Sequence, residues 1–209
     1  MNQSNFSQKP TLFLNPRSPF ARRIRLALNR VNADFNEHDV GNVFEDQPEL
    51  SKMNPLGMVP TYLSTEGEPF SDSANLLEYL NEKTGRIWPI EQFQRFRVRQ
   101  VSTWCAGIMQ SAVLYFQEAA LHESPSPRWL AEHVQSIEDT LLHLSRMSDA
   151  VWIEDEALTQ AGWDLAVALE YVDFRLAEMN WRERYSGFEE LLALARKNTF
   201  FCETSPPQK

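Results

Sequence analysis

Cysteine is scarce in this chain. Cys105 and Cys202 are its only two cysteines, they stand far apart, and neither falls in a C-x-x-C or Cys/His ligand spacing. A disulfide framework is therefore not expected, and no metal site is called. Long apolar runs are missing as well: no stretch of about 18 apolar residues could span a bilayer, so no membrane partner is expected. Met1 to Pro10 are polar without an apolar run, from which no secretory leader and a cytoplasmic location are expected. Asn5-Phe6-Ser7 fits a glycosylation sequon, which in a cytoplasmic protein is chance. Basic charge is also short, with 20 Lys and Arg against 29 Asp and Glu and a net charge of -9. Sequence-independent binding to nucleic acid needs Lys and Arg to neutralise phosphates, so no nucleic-acid partner is expected. Internal repeats and low-complexity segments do not occur.

What is there suits a folded globular protein. Hydrophobic residues make up 43% and charged residues 23%, ordinary proportions that speak against disorder. The length allows one large domain or two small ones. Thr11 to Leu14 reads as a short buried strand stopped by Asn15-Pro16. Ser18-Pro19 supplies an N-cap and a first-turn proline, and Phe20, Ile24, Ala27, Leu28 and Val31 recur at helical spacing. Asp34 to Val40 reads as a polar edge strand, and 42–53 as a weak helix or irregular segment. Thr61-Tyr62-Leu63 and Pro69-Phe70 flank a turn at Glu66-Gly67-Glu68 and predict a hairpin. Ser71-Asp72-Ser73 caps a helix carrying Leu76, Leu77 and Leu80, which stops at Gly85.

From Phe93 onward the pattern is helical. Phe93, Val101, Trp104, Cys105, Ile108, Ala112 and Tyr115 trace an apolar stripe on a long helix. Trp129 to Arg146 predicts a second amphipathic helix after the break at 124–127. Trp163 to Met179, apolar on most sides, predicts the central helix of a bundle. Phe188 to Ala195 predicts a last short helix before a frayed tail at 205–209. The boundaries predicted are a first domain over 1–85, a linker over 86–92 and an all-helical domain over 93–209.

Three segments, in this order and spacing, resemble the glutathione transferase family: Ser18-Pro19-Phe20 after the first strand, Asn54 to Pro60 before the hairpin, and Asp72-Ser73 opening the next helix. Arg97-Val98-Arg99 and Leu169 to Arg175 are similar to patterns of bacterial members, so the resemblance covers nearly the whole chain. It implies an α/β thioredoxin-like N-terminal domain, an all-α helical-bundle C-terminal domain, a homodimer, and glutathione as co-substrate. Detoxification by transfer of glutathione to a small apolar electrophile is the activity it implies.

The residues give that expectation a chemistry. Glutathione attacks as a thiolate, and a thiol with a pKa of roughly 8.5 is only a few per cent ionised at neutral pH. Ser18 at a helix N-terminus offers a hydroxyl donor and the positive end of the helix dipole to that anion; the bland reading is a simple N-cap. Ala21 and Ser18 stand where a redox relative carries two cysteines, which disfavours disulfide exchange and leaves conjugation, or a glutathione-assisted isomerisation or elimination, open. By resemblance, Pro60 is a cis-proline that lets Val59 pair its backbone with the cysteinyl unit. Ser73 and the helix N-terminus then suit the γ-glutamyl carboxylate, with Asp72 on the ammonium; the bland reading here is capping without a ligand. Phe20, Trp104, Cys105, Ile108 and Tyr115, with Met109, are candidates for the wall of the second-substrate pocket, against the ordinary alternative that they are core.

Several positions depart from the family pattern. Met58 stands where many members have Lys, Ala106 where similar bacterial sequences carry an acid, and Gly162 where an Asp commonly completes a capping box begun by Thr159, which weakens that helix start. Arg17, Arg22, Arg23 and Arg25 read as a solvated basic face. His38, His122, His133 and His143 show no triad or metal spacing. The competing readings are a non-catalytic interaction module and a carrier of apolar ligands.

Overall fold

The computed structural model describes residues 9–207; the sequon at Asn5-Phe6-Ser7 and the last two residues of the tail lie outside them. The chain divides into two compact units, one up to Ile87 and one from Trp88 to Pro206.

The first unit is a mixed sheet with helices. Strand β1 (Thr11–Leu14) feeds helix α1 (Pro19–Arg30), which returns to β2 (Asn36–Asp39) parallel to β1. Helix α2 (Pro48–Met53) precedes the hairpin β3 (Thr61–Leu63) and β4 (Pro69–Ser71), after which α3 (Ser73–Thr84) packs beside α1. The sheet order is β2-β1-β3-β4, with β3 antiparallel to both β1 and β4. Alternation along β1 sends neighbouring side chains to opposite faces, and all of Leu12, Phe13 and Leu14 are buried. Phe13 packs with Leu50 of α2 and Leu63 of β3. Burying each such side chain contributes about 1.5–3 kcal/mol. The Asp72 carboxylate caps α3, and Gly85 ends it at φ 65°, a left-handed position that glycine takes without steric cost.

Tyr62 on β3 is 6% exposed, and its neighbour Tyr79 stacks on Phe70 at 4.2 Å. Burial, then the proximity of Tyr79 and Glu66, pushes the Tyr62 phenol from 10.0 up to about 12. Between those values the unfolded chain has shed a proton that the native state still holds, so stability falls as pH rises through this window. We expect urea unfolding of Tyr62→Phe to lose part of the decline seen in the wild type from about pH 10 to 12; an unaltered decline would remove Tyr62 as its source.

The second unit is built on α4 (Gln92–Leu121), α5 (Pro127–Leu144) and α6 (Gln160–Arg175), with α4 packed against both others. A short hairpin of β5 (Ile153–Glu154) and β6 (Ala157–Leu158) leads into α6; α7 (Trp181–Arg184), α8 (Gly187–Ala195) and α9 (Thr199–Glu203) follow. No helix among the described residues is long and apolar enough to cross a membrane. Helix α6 is buried from Gln160 through Leu169. Its Asp164 is fully buried and satisfied, accepting from Ser102 Oγ at 2.5 Å and from Gln160 Nε2 at 2.7 Å.

Four expectations are corrected here. Phe93 is 69% exposed, because the 3-4 spacing of Val98, Val101, Cys105, Ile108 and Ala112 extends back to Gln94 and leaves Phe93 beside the stripe. The central helix runs Gln160–Arg175 rather than from Trp163 to Met179, since Thr159 caps it by accepting from Gly162 N–H. Gly162 does not weaken that start: a Cβ there would lie 2.6 Å from the Trp152 carbonyl oxygen, so the close packing requires glycine. A further helix, α9, follows Ala195; Asn198 caps it and Phe201 is fully buried.

Candidate functional site

Strand register brings three loops to one end of the sheet. Phe13 pairs with Thr61 in antiparallel sense, and Thr61 pairs with Ser71. The turn that leaves β1 toward Ser18, the segment that enters β3 through Val59-Pro60, and the turn that leaves β4 through Asp72 therefore emerge together. The loop after β2 joins them, since Val40 N–H donates to the Leu14 carbonyl at 2.8 Å and Asn15 Nδ2 to the Gly41 carbonyl at 2.6 Å.

Ser18 is the N-cap of α1 and is half-buried. Its Oγ accepts from Ala21 N–H at 3.2 Å, which uses a lone pair and not the hydroxyl hydrogen. Among the described residues that hydrogen has no acceptor. The side chain is therefore both a cap and an available donor, and the two readings from sequence do not exclude each other. Pro19 brings no N–H to the first turn, so the helix end exposes few but aligned donors.

The Val59–Pro60 peptide bond is cis. Val59 is half-buried and Pro60 buried, and among the described residues neither Val59 N–H nor its carbonyl has a hydrogen-bond partner. Asn54 holds this loop from below. It is 2% exposed and donates through Nδ2 to the Met58 carbonyl at 2.9 Å and to Thr61 Oγ1 at 3.1 Å, while its Oδ1 accepts from Leu56 N–H at 3.1 Å. Met58 itself is 57% exposed and brings no charge.

Asp72 has φ 66° and its Oδ1 accepts from Ala74 N–H at 2.7 Å. Ser73, 5% exposed, is the first residue of α3, and its Oγ accepts from Arg23 Nη1 at 3.0 Å. The buried guanidinium thus ties α1 to the first residue of α3.

The basic face expected on α1 is thus corrected. Arg22 and Arg23 are 2% and 3% exposed, and Arg25 pairs with Glu37 at 2.7 Å; Arg17 alone of the four is exposed. A sequence signal for Arg23 existed, because it lies four residues before Ala27 and three after Phe20 on the helix's apolar side. Asn54 and Asn15, also missed as loop organisers, gave no comparable periodic signal.

In the helical unit, Cys105 and Ile108 are 0% and 1% exposed and Met109 is 0%, so these side chains belong to its interior; Cys105 Sγ lies 3.9 Å from the Ala161 carbonyl. Trp104 is half-buried, edge-on to His143 at 4.7 Å. Tyr115 is half-buried on the same helix, and Phe20 is half-buried on α1.

Residues 2–87 match the family model of the glutathione S-transferase N-terminal domain. Over 204 residues the chain is 24% identical to an uncharacterised GST-like protein of Escherichia coli K12, YibF, covering 91% of this chain and 96% of the relative. A glutathione S-transferase from Methylobacterium radiotolerans JCM 2831, solved with glutathione sulfonate, superposes with a TM-score of 0.88 at 24% identity over 96% of each chain. A glutathione transferase family member from Pseudomonas fluorescens Pf-5, solved with bound glutathione, superposes at 0.84 with 26% identity, covering 95% of this chain and 99% of the other.

Proposed function

We propose that this chain, which belongs to the glutathione S-transferase family, binds glutathione at the shared end of its sheet and transfers it to a small apolar electrophile. The observation that most supports this is the set of polar groups converging there without internal partners: the Ser18 hydroxyl hydrogen and both backbone groups of Val59. The P. fluorescens relative, solved with glutathione bound, supports the tripeptide as co-substrate. In this reading the Ser18 hydroxyl and the α1 N-terminus hold the thiolate, Val59 pairs with the cysteinyl backbone, and Ser73 and Asp72 take the two charged ends of the γ-glutamyl group.

The magnitudes suffice. Lowering the thiol pKa by about two units requires roughly 2.7 kcal/mol of preference for the charged form. The helix end contributes about 0.3–2 kcal/mol, and a hydrogen bond to a charged acceptor about 1.5–3 kcal/mol. The thiolate then attacks the electrophilic carbon, the carbon–sulfur bond forms as the leaving group departs, and the thiol proton goes to solvent. Half-buried Phe20 on α1 is the side chain proposed to meet the electrophile; a homodimer and a detoxifying role belong to the same proposal.

The test is retention on immobilised glutathione together with turnover of chlorodinitrobenzene. Both are expected. Retention without turnover would favour a binding module, and failure of both would overturn the reading.

A further inference from the structure

The register of β3 fixes which way a peptide laid along Val59 must run, and with it what the far end of that peptide meets. Thr61 pairs with Ser71 in antiparallel sense, so Pro60, one residue before Thr61, lies beside Asp72, one residue after Ser71. An extended peptide pairing with Val59 adds a strand to this edge. With its γ-glutamyl group toward Asp72 and Ser73 and its cysteinyl unit opposite Val59, its glycyl unit falls opposite Met58. The hydrogen bonding agrees. Next to a pair that exchanges both its bonds, an antiparallel ladder has a pair that exchanges none, and the Met58 carbonyl is turned inward, accepting from Asn54 Nδ2 and from Thr61 Oγ1, both at 2.9 Å.

What the glycyl unit meets there carries no positive charge. Met58 is 57% exposed and Leu56 68%, and both are uncharged. Residues 40–60 hold three acids, Glu45, Asp46 and Glu49, against one base, Lys52, and all four are exposed. The other base on these loops is Arg17, which precedes Ser18 at the turn after β1 and is exposed as well. A free glycyl carboxylate therefore gains no ion pair at position 58 and stands near a segment of net negative charge, which repels it over a Debye length of about 8 Å. A neutral end forgoes nothing and keeps the apolar contact.

We propose that Met58 and Leu56 make the glycyl subsite indifferent to charge, so that this chain accepts as its thiol a glutathione whose glycyl carboxyl is neutralised, as an amide or an ester, as readily as glutathione itself. This rests on the glutathione-binding part of the proposed function and not on its transfer step. The probes are glutathione and its C-terminal amide, which differ in that one charge and little in size.

Titration calorimetry on the full chain is expected to give dissociation constants for the two within about twofold, since no exposed ion pair separates them. A larger preference for the free acid would overturn the proposal, and its loss in Lys52→Met or Arg17→Met would identify the cation responsible. Met58→Lys, a change at an exposed position, is expected to tighten glutathione by about two- to fivefold and leave the amide unchanged, the worth of one exposed ion pair. No gain for the free acid in that variant would place the glycyl end elsewhere and overturn the proposal too. Equal binding of both thiols by a protein that turns over no electrophile would leave the charge-indifferent subsite standing and sink the transfer step. Turnover with glutathione and a marked loss with the amide would do the reverse, and binding of neither thiol would overturn both.

Discussion

Gly162→Ala is expected to lower the free energy of unfolding by about 2–4 kcal/mol, the balance of packing, hydrogen-bond and cap costs against a propensity gain. Alanine within a helix is favoured over glycine by about 1 kcal/mol, which alone makes the variant more stable. The position overrides that gain. A Cβ would stand 2.6 Å from the Trp152 carbonyl oxygen and 3.0 Å from Leu158 Cδ2, and the first of these is backbone that cannot swing away. Trp152 O already accepts from Thr159 N–H at 2.9 Å, and Thr159 Oγ1 donates to the Val151 carbonyl at 2.6 Å. Moving the carbonyl thus strains a buried set of bonds that also caps α6. Overpacking costs about 1–3 kcal/mol, and loss of a buried bond and a cap about 1 kcal/mol each. Urea unfolding followed by circular dichroism measures the result; a stabilised variant would show that the segment before α6 yields.

Ser18→Ala is expected to lower kcat/KM with chlorodinitrobenzene by about tenfold to a hundredfold, the worth of one hydrogen bond to a charged atom. The substitution removes two things at once, and they separate by readout. Loss of the cap to Ala21 destabilises the first unit by about 0.5–2 kcal/mol. Loss of the donor to sulfur lowers the rate of the folded enzyme and raises the thiol pKa. Ser18→Asn, which keeps a capping oxygen, is expected to restore stability better than rate. Full activity in Ser18→Ala would move the donor role elsewhere in the turn.

The first unit could be read from the chain almost strand by strand, because its signals are local. Asn15-Pro16 stops β1, Pro19 starts α1, and Gly85 stops α3 through backbone restrictions that need no tertiary knowledge. Ser18, Val59 and Asp72-Ser73 were singled out by order along the chain, and the register Phe13–Thr61–Ser71 is what makes that order a place. The misreadings share a cause. Arg22 and Arg23 were assigned to solvent by residue type, whereas burial of a guanidinium depends on a partner 50 residues away, Ser73 for Arg23. Gly162 appeared as a missing acid, because the Trp152 carbonyl that crowds it is a tertiary neighbour. Phe93 was joined to a stripe it misses by one position, an error of phase that spacing over the next four turns corrects.

The most direct measurement is the pKa of the glutathione thiol when bound, titrated by the ultraviolet absorbance of its thiolate on the wild type and on Ser18→Ala. The result expected is a value about two units below the free thiol's roughly 8.5 on the wild type, rising by about one unit or more when the hydroxyl is removed. A bound thiol that titrates like the free one, or a lowered value indifferent to Ser18, would contradict the role given to that hydroxyl.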